Sequence, residues 1–256
     1  GARGRIAHGS DAVTRHVVPP GGATTMTPAQ RLKNILGGSA GNFVEWFDWF
    51  AYSAFAIYFS RAFFPAGDQT AQLLGAAAIF AVGFIARPLG ALLFGGYADR
   101  AGRRTALTLS VAMMCGGSLM IALIPTGLGV LSPALLLVAR LLQGLSVGGE
   151  YGASATYISE MAERTQRGFW SGFLYVTLTG GQLAALLLLV LLQRVLTEQQ
   201  LYEWGWRIPF AVGAALAVIV WWIRRGIHET RSFTHASAPE EERGQAWALF
   251  TRYPKE

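Results

Sequence analysis

Long apolar segments separated by short polar connections occupy most of the chain. Each of six segments is long enough to supply the roughly 20 residues that an α-helix needs to cross the hydrocarbon core of a bilayer. The connections, such as "DRAGRRT" after the second segment and "PTGLGVL" after the third, are too short for a soluble domain. The pattern therefore predicts an all-α membrane protein with six transmembrane helices. The predicted spans are 36–60, 72–97, 105–125, 131–157, 168–193 and 206–224.

Composition supports this class and restricts the chemistry. Hydrophobic residues make up 52% of the 256 residues and charged residues 14%, whereas soluble domains average about 25% charged residues. The single cysteine, Cys115, excludes an internal disulfide and a cysteine-based metal site, and the four histidines lie outside the apolar segments. We therefore expect no metal and no cofactor. No nucleophile with an adjacent base stands out, so an enzyme is not expected.

The lysines and arginines of the connections predict the orientation of the chain. Ten lie before the first span or after the second, fourth and sixth, and three lie in the alternate connections. Cytoplasmic connections carry the excess of such residues, so both ends of the chain are predicted to be cytoplasmic. The net charge of +6 follows from this sidedness, and no nucleic-acid partner is expected. The ten are Arg31, Lys33, Arg100, Arg103, Arg104, Arg164, Arg167, Arg224, Arg225 and Arg231, and the three are Arg61, Arg194 and Arg207.

The two ends of the chain differ from the apolar middle. Residues 1–30 are rich in Gly, Pro and Thr and lack apolar periodicity, which predicts a disordered cytoplasmic tail. They hold no uninterrupted apolar stretch of the kind found in secretory signals, and we expect residues 1–25 to be upstream of, or foreign to, a natural start at Met26. Residues 31–226 are predicted to form the six-helix domain, and residues 227–256 the truncated start of a cytoplasmic loop.

Several ionisable and polar residues fall inside the predicted spans. A charged side chain at the bilayer centre costs about 2.5–3.5 kcal/mol on insertion scales, so such residues usually face a cavity and have a function. At 100° per residue, the polar residues of the first span share one face of the helix, and those of the fourth span do the same. The polar residues on these faces are Asn42, Glu45, Asp48 and Tyr52 in the first span, and Arg140, Gln143, Glu150 and Tyr151 in the fourth; the second span adds Arg87.

The same residues also have structural explanations. Arg87 could extend its guanidinium towards the cytoplasmic interface, and Glu45 and Asp48 could serve only in hydrogen bonds between packed helices. A separate face of the fourth span carries Gly144 and Gly148, with Gly152 one turn further. Small residues at this spacing let a neighbouring helix approach closely, so this face is predicted to be structural.

The connection after the second span carries a specific motif, "GGYADRAGRR". Glycines suit a tight turn between two helices, and an acid with several arginines can pair with helix ends in one conformation and release them in another. The motif residues are Gly95, Asp99, Arg100, Gly102, Arg103 and Arg104. At this motif the chain resembles the major facilitator superfamily. Together with "NFVEWFDWF", "ARLLQGLSVGGEYGASATYISEMA" and "EWGWRIPFA", it resembles the metabolite:proton symporter family from about residue 34 to 232, most closely the branch that carries alpha-ketoglutarate.

This resemblance implies a fold and a function. Members of the family have twelve spans in two six-helix halves, and each half is built from two inverted three-helix repeats whose first helices line a central cavity. The chain would then be the N-terminal half of a proton-coupled symporter of a dicarboxylate such as alpha-ketoglutarate in a bacterial inner membrane. Its C-terminal half-domain would be missing. Other substrates (shikimate, citrate, or proline and betaine) and a truncated membrane protein that does not transport remain open alternatives.

The resemblance also implies roles for the residues named above. Glu45 and Asp48 would couple transport to protons, with the carboxyl taking up a proton when an arriving anion competes for its arginine. Arg87 and Arg140 would meet the carboxylates of an organic anion, because a guanidinium offers paired donors. The remaining substrate-binding residues would be Asn42, Tyr52, Gln143, Glu150 and Tyr151, and the cytoplasmic gate would comprise the motif residues together with Glu160 and Arg167.

Overall fold

Six long helices account for most of the structure. The computed structural model describes residues 27–64, 67–161 and 167–225, which form helices and short turns with no strand among them. Each predicted span falls on one long helix, which confirms the all-α prediction. The helices are α1 (Pro28–Phe63), α2 (Gln69–Ala101), α3 (Arg103–Leu123), α4 (Leu131–Met161), α5 (Arg167–Val195), the short α6 (Glu198–Glu203) and α7 (Ile208–Arg225), with a 3₁₀ turn (Gly205–Arg207) before α7.

The first helix begins earlier than predicted. The Thr27 side chain accepts a hydrogen bond from the backbone N–H of Gln30, while the Gln30 side chain accepts one from the backbone N–H of Thr27, and Pro28 occupies the first helical position. This reciprocal cap fixes the start of a helix. Residues 28–30, predicted to belong to the disordered tail, are therefore helical. The predictions for residues 1–26 and 226–256 lie outside the described residues.

The short helix α6 was not predicted. It lies in the connection after the fifth span, where Thr197 and Gln200 form a second reciprocal cap. The spacing of these two residues, T-x-x-Q, is the sequence signal that could have revealed it. The helix covers one end of the bundle, where Leu201 and Trp206 are buried against the aromatic side chains of α1.

Helix packing follows an internal symmetry. α1 packs mainly on α5 and α4 mainly on α2, while α3 contacts α4 and α7 contacts α1. Exchanging α1 with α4, α2 with α5 and α3 with α7 leaves this pattern of neighbours unchanged. The bundle is therefore built from two inverted three-helix repeats, as predicted.

Most of the long helices can cross a bilayer. By length and composition, α2, α3, α4, α5 and α7 with its 3₁₀ turn qualify among the described residues. α1 has the length, at 36 residues, but it is less apolar and carries Glu45 and Asp48 near its middle. Since both carboxyl groups are fully buried within the bundle, α1 does not present them to lipid.

The glycine face of α4 lies directly against α2. A Cβ atom on Gly144 would overlap the carbonyl oxygen of Gly83, and one on Gly148 would overlap the carbonyl oxygen of Arg87. The two backbones therefore touch, as the small-residue spacing predicts. The contact fixes the position of α2, and with it that of the Arg87 side chain.

We expect Gly148→Ala to destabilise the bundle by about 1–3 kcal/mol, the usual cost of an overpacked contact. The added methyl group can be accommodated only if α2 and α4 separate. Thermal unfolding in detergent measures the effect. Gly116→Ala on α3 is the matched control because a Cβ there has no neighbour within 4 Å, and it should be neutral or stabilising by up to about 1 kcal/mol. Equal effects of the two substitutions would contradict the close contact.

Candidate functional site

A buried network joins Asp48 of α1 to Arg140 of α4. The Arg140 Nη1 donates to Asp48 Oδ2 at 3.1 Å, and both side chains are fully buried. Gln143 Nε2 donates to the same oxygen at 2.8 Å, and the Ser118 hydroxyl of α3 donates to Asp48 Oδ1 at 2.6 Å. Asp48 therefore has donors on both oxygens, contributed by α3 and α4. Such a site suits an ionised carboxylate.

Arg140 keeps one edge of its guanidinium unused. Its Nη1 is shared between Asp48 and Gln143 Oε1, the latter at 2.5 Å, whereas Nε and Nη2 are buried without a hydrogen-bond partner among the described residues. The guanidinium carbon lies 3.8 Å from the ring centroid of Tyr52 and 4.7 Å from that of Trp49. The aromatic rings stabilise the cation through their faces and leave the Nε–Nη2 edge free to donate.

A cavity of about 290 Å³ lies between α1, α2 and α4. Its size is close to the lower limit, about 300 Å³, of typical small-molecule sites. Glu45 and Arg87 provide its ionisable groups. The lining residues are Asn42, Glu45, Trp46, Arg87, Pro88, Ala91, Val147 and Gly148.

Glu45 is the unpaired carboxyl of this cavity. Neither of its oxygens has a hydrogen-bond partner among the described residues, although the side chain is buried. The nearby Ser146 hydroxyl is directed to the carbonyl oxygen of Ser110, at 2.6 Å. An ionised carboxylate without donors is costly to bury, and a protonated carboxyl is the less costly form. Glu45 and Asp48 have similar positions in the sequence pattern, but Asp48 has donors on both oxygens and Glu45 has none among the described residues.

Arg87 resembles Arg140 in its surroundings. Its Nε and Nη2 atoms are buried without hydrogen-bond partners in the described part of the chain, so the guanidinium is not extended into the interface. Its guanidinium carbon lies 3.9 Å from the ring centroid of Phe84 and 4.2 Å from that of Trp49. Trp49 therefore contacts both arginines, and both present the same free edge.

Asn42 and Tyr52 are held by hydrogen bonds to neighbouring helices. The Asn42 amide donates to the Leu174 carbonyl oxygen and to Thr177 Oγ1 of α5, each at 2.9 Å. The Tyr52 hydroxyl donates to the Ala76 carbonyl oxygen of α2 at 2.9 Å. Asn42 still lines the cavity, whereas Tyr52 reaches the site through its ring, which lies under Arg140.

Glu150 lies apart from Arg140, with a partner that the sequence did not suggest. It forms a fully buried ion pair with Arg224, which the sequence predicts to lie in the basic connection after the sixth span. The Ser110 and Ser154 hydroxyls also donate to Glu150. In the sequence Arg224 was marked only by its place at the end of an apolar run, and the adjacent Arg225 has the same position, so the sequence could not tell the two apart.

The motif after α2 forms a one-residue turn. Gly102 separates α2 from α3 with a φ of 96°, a value that favours glycine. Asp99 and Arg103 form an ion pair at 2.7 Å, and Arg104 donates to the carbonyl oxygen of Arg225, the last residue of α7, at 2.5 Å. Arg104 thus pairs with the end of α7, and the gating role predicted for the motif stays a prediction.

Of the remaining predicted site residues, the structure describes the surroundings of Gly95 and Arg100 but not the side chains of three others. Arg100 is exposed, and Gly95 is an exposed glycine at which a Cβ would meet no atom within 4 Å. Close packing inside this half-domain therefore does not require a glycine at position 95. The side chains of Tyr151, Glu160 and Arg167 lie outside the described part of the structure, and the roles predicted for them stay predictions.

Two inverted repeats with ionisable residues in the middle of α1, α2 and α4 define a half-domain of a secondary transporter of the major facilitator type. Residues 35–249 match the sugar (and other) transporter family, and the chain belongs to this family. Members of the family are membrane transporters, which confirms that the chain is not an enzyme.

Several curated relatives are bacterial transporters of small metabolites. The alpha-ketoglutarate permease of Escherichia coli K12 is 54% identical over 81% of this chain and 48% of its own length. The citrate-proton symporter of Salmonella typhi is 40% identical over 78% of this chain and 46% of its own. The shikimate transporter of E. coli K12 is 35% identical over 92% and 55%. The chain thus spans about half the length of these relatives.

Solved structures confirm the fold. The proton:xylose symporter XylE bound to 6-bromo-6-deoxy-D-glucose matches with a TM-score of 0.75 at 20% identity, over 88% of this chain and 50% of that chain. At this identity the likeness concerns the fold alone. The six helices correspond to half of a major facilitator fold.

Proposed function

We propose that the chain is the N-terminal half of a proton-coupled symporter of a dicarboxylate such as alpha-ketoglutarate. It acts in a bacterial inner membrane, with both of its ends cytoplasmic, and works against a C-terminal half-domain across a shared cavity. The identity of 54% to an alpha-ketoglutarate permease supports this substrate class. The excess of basic residues in alternate connections supports the orientation.

The observation that carries the proposal is the pair of free guanidinium edges. Arg87 and Arg140 each leave Nε and Nη2 buried and without a partner in the described residues. Two N–H groups on one guanidinium edge match the two oxygens of a carboxylate. Both guanidinium groups contact the same indole ring, that of Trp49, and two guanidinium groups this near to one another suit a molecule with two carboxylates. Other relatives carry citrate, which also has several carboxylates, so the proposal covers this class of anion.

The same geometry disfavours zwitterions with a quaternary ammonium, although relatives named proline/betaine transporters are 35–36% identical. A quaternary ammonium is recognised by an aromatic cage. Here the faces of Trp49, Tyr52 and Phe84 are occupied by the cations of Arg87 and Arg140. A second cation at these rings would be repelled by both arginines.

Charge balance makes Glu45 the preferred proton carrier. Among the described ion pairs, Arg140 neutralises Asp48, and Arg224 neutralises Glu150. With Glu45 protonated, Arg87 is the unbalanced charge of the cavity and attracts an anion; with Glu45 ionised, the cavity is neutral. A proton and an anion therefore favour one another's binding. Asp48 is the second candidate, since a substrate that took over Arg140 would leave Asp48 to accept a proton.

The turn after α2 is proposed to act as a cytoplasmic gate. Asp99 and Arg103 are partly exposed, and neither lines the cavity, which on α2 extends only to Ala91. Arg104 donates to the carbonyl oxygen of Arg225 at the end of α7. Exposed ion pairs contribute little energy, commonly about 0–1 kcal/mol, so they can form and break as the two halves of the transporter move. Glu160 and Arg167 complete this gate in the proposal.

The test uses a complete transporter, made by joining this chain to the C-terminal half of the E. coli alpha-ketoglutarate permease. In proteoliposomes it should accumulate alpha-ketoglutarate under an inward proton gradient. Arg87→Lys and Arg140→Lys should each weaken dicarboxylate binding about tenfold to a hundredfold, because an ammonium keeps the charge but loses the paired donors. Competition binding with alpha-ketoglutarate, citrate, shikimate and betaine measures the effect.

Arg194→Lys is the matched control, because Arg194 is an exposed arginine near the C-terminal end of α5. It should bind alpha-ketoglutarate as the parent does. Unchanged binding in both Arg87→Lys and Arg140→Lys would contradict the role of the free edges. Uptake of betaine without uptake of alpha-ketoglutarate would contradict the substrate class, and no uptake of any of the four compounds would favour a membrane protein that does not transport.

A further inference from the structure

Arg224 connects four helices from a fully buried position near the end of α7. Its Nε donates to the carbonyl oxygen of Gly37 on α1 at 3.2 Å, and its Nη1 donates to that of Leu107 on α3 at 2.5 Å. Nη1 also donates to Glu150 Oε2 on α4 at 2.8 Å, and Nη2 donates to Glu150 Oε1. The guanidinium is thus bidentate to one carboxylate and bonded to two helix backbones.

Glu150 is saturated with donors. Besides the two nitrogens of Arg224, the Ser110 hydroxyl donates to Oε2 and the Ser154 hydroxyl donates to Oε1 at 3.0 Å. An ionised carboxylate has about four acceptor sites on its two oxygens, and here each oxygen has two donors. The serine hydroxyls can also accept, but the two guanidinium nitrogens can only donate. The bidentate contact with Arg224 therefore matches the carboxylate form of Glu150.

The Arg224–Glu150 pair lies next to the proposed proton site. Glu45 follows Gly41 by one helical turn, and a Cβ on Gly41 would overlap both Arg224 Nη2 and Glu150 Oε1. Among the described residues, the charged groups that act on Glu45 are Glu150 from α4, Arg224 from α7 and Arg87 from α2. Without Arg224, two carboxyl groups would compete for a proton in the same part of the membrane core.

We infer that Arg224 is a positioning residue for proton transfer, which holds Glu150 as a bound carboxylate and so reserves proton uptake for Glu45. The inference rests on the proposed role of Glu45. Its physical basis is that a buried carboxylate needs a cation or several donors. Asp48 has Arg140, Glu150 has Arg224, and Glu45 has no bonded partner in the described residues. The sequence, which offers three similar carboxyl groups, does not distinguish them.

Infrared spectroscopy of the purified chain in lipid nanodiscs tests the inference, because protonated carboxyl groups absorb apart from carboxylates. At neutral pH the parent should show one protonated buried carboxyl, which Glu45→Gln removes. Arg224→Gln should add a second band of similar area, and Glu150→Gln in that background should remove the added band. This readout would not respond to a residue that only holds helices together.

Arg207→Gln is the matched control. Arg207, the last residue of the 3₁₀ turn, also donates to an α3 carbonyl oxygen, that of Ala122 at 2.7 Å, but has no carboxylate partner among the described residues. It should leave the infrared bands unchanged. If Arg224→Gln does not fold, the charge-neutral double variant Arg224→Gln/Glu150→Gln decides. Folding of the double variant with the Glu45 band intact supports the inference, and failure to fold assigns Arg224 to a structural role alone.

The outcomes separate the inference from the proposed function. No added band in a folded Arg224→Gln overturns the role of Arg224. A parent band that survives Glu45→Gln overturns the role of Glu45 in the proposed function, whatever Arg224→Gln does. A new band in Arg224→Gln that survives Glu150→Gln also overturns the inference, since the added proton would then be on another group.

Discussion

Glu45→Gln is expected to abolish uphill accumulation of the substrate while substrate exchange across the membrane continues. Glutamine has the shape and the neutral charge of protonated glutamic acid but cannot release a proton. With Glu45 neutral, Arg87 remains the unbalanced charge, so an anion can still bind. The gradient of protons can then no longer drive net transport. The substrate concentration inside the proteoliposomes should then no longer rise above the level reached without a proton gradient.

Two assays in proteoliposomes separate these effects for the complete transporter. Counterflow measures exchange without a proton gradient, and uptake under an imposed pH gradient measures coupling. Glu203→Gln is the control, since Glu203 is an exposed carboxyl of α6 that accepts from Gln199. Full proton-driven accumulation by Glu45→Gln would remove Glu45 from the coupling step, and Asp48→Asn would then be examined in the same pair of assays.

Asp48→Ala is expected to destabilise the bundle by about 3–5 kcal/mol, the cost of leaving one partner of a buried ion pair uncompensated. Arg140 would lose its counter-ion and retain the Gln143 side-chain oxygen as its acceptor. Ser118 would lose an acceptor at the same time. Because the network joins α1, α3 and α4, its loss should loosen the centre of the bundle. Thermal unfolding of the purified chain in detergent measures the change.

Ser60→Ala is the matched control on the same helix. Ser60 is also buried, but its hydroxyl has no hydrogen-bond partner among the described residues, so its removal should cost little. The double variant Asp48→Leu/Arg140→Met should recover most of the stability, because apolar groups can replace a buried ion pair without a large cost. Equal stability of Asp48→Ala and Ser60→Ala would show that the pair does not stabilise the fold.

Much of the architecture could be predicted from the sequence because a bilayer restricts the backbone. In hydrocarbon every backbone N–H and C=O group must be bonded within the span, so a run of about 20 apolar residues forms a helix. The polar faces of α1 and α4 followed from the helical period, and both turned inward. The turn at Gly102 followed from its motif, because its positive φ requires a residue such as glycine.

The pairing of the buried charges required the three-dimensional structure. Asp48 and Arg140 are 92 residues apart, and Glu150 and Arg224 are 74 residues apart. Which acid meets which arginine depends on the depth and rotation of each helix where it packs on its neighbours. Sequence periodicity gives the rotation of a helix about its own axis and not its depth against another helix.

Arg224 illustrates this limit. At the end of an apolar run, an arginine of a connection and an arginine buried in the bundle have the same sequence context, and the positive-inside rule counts both alike. Packing of α7 against α1 and α3 turned Arg224 inward and left Arg225 at the end of the helix, with its guanidinium over Trp221. The pattern of apolar and polar residues determined that the chain folds into six long helices, whereas contacts between helices determined that Glu45 is the buried carboxyl left without a hydrogen-bond partner among the described residues.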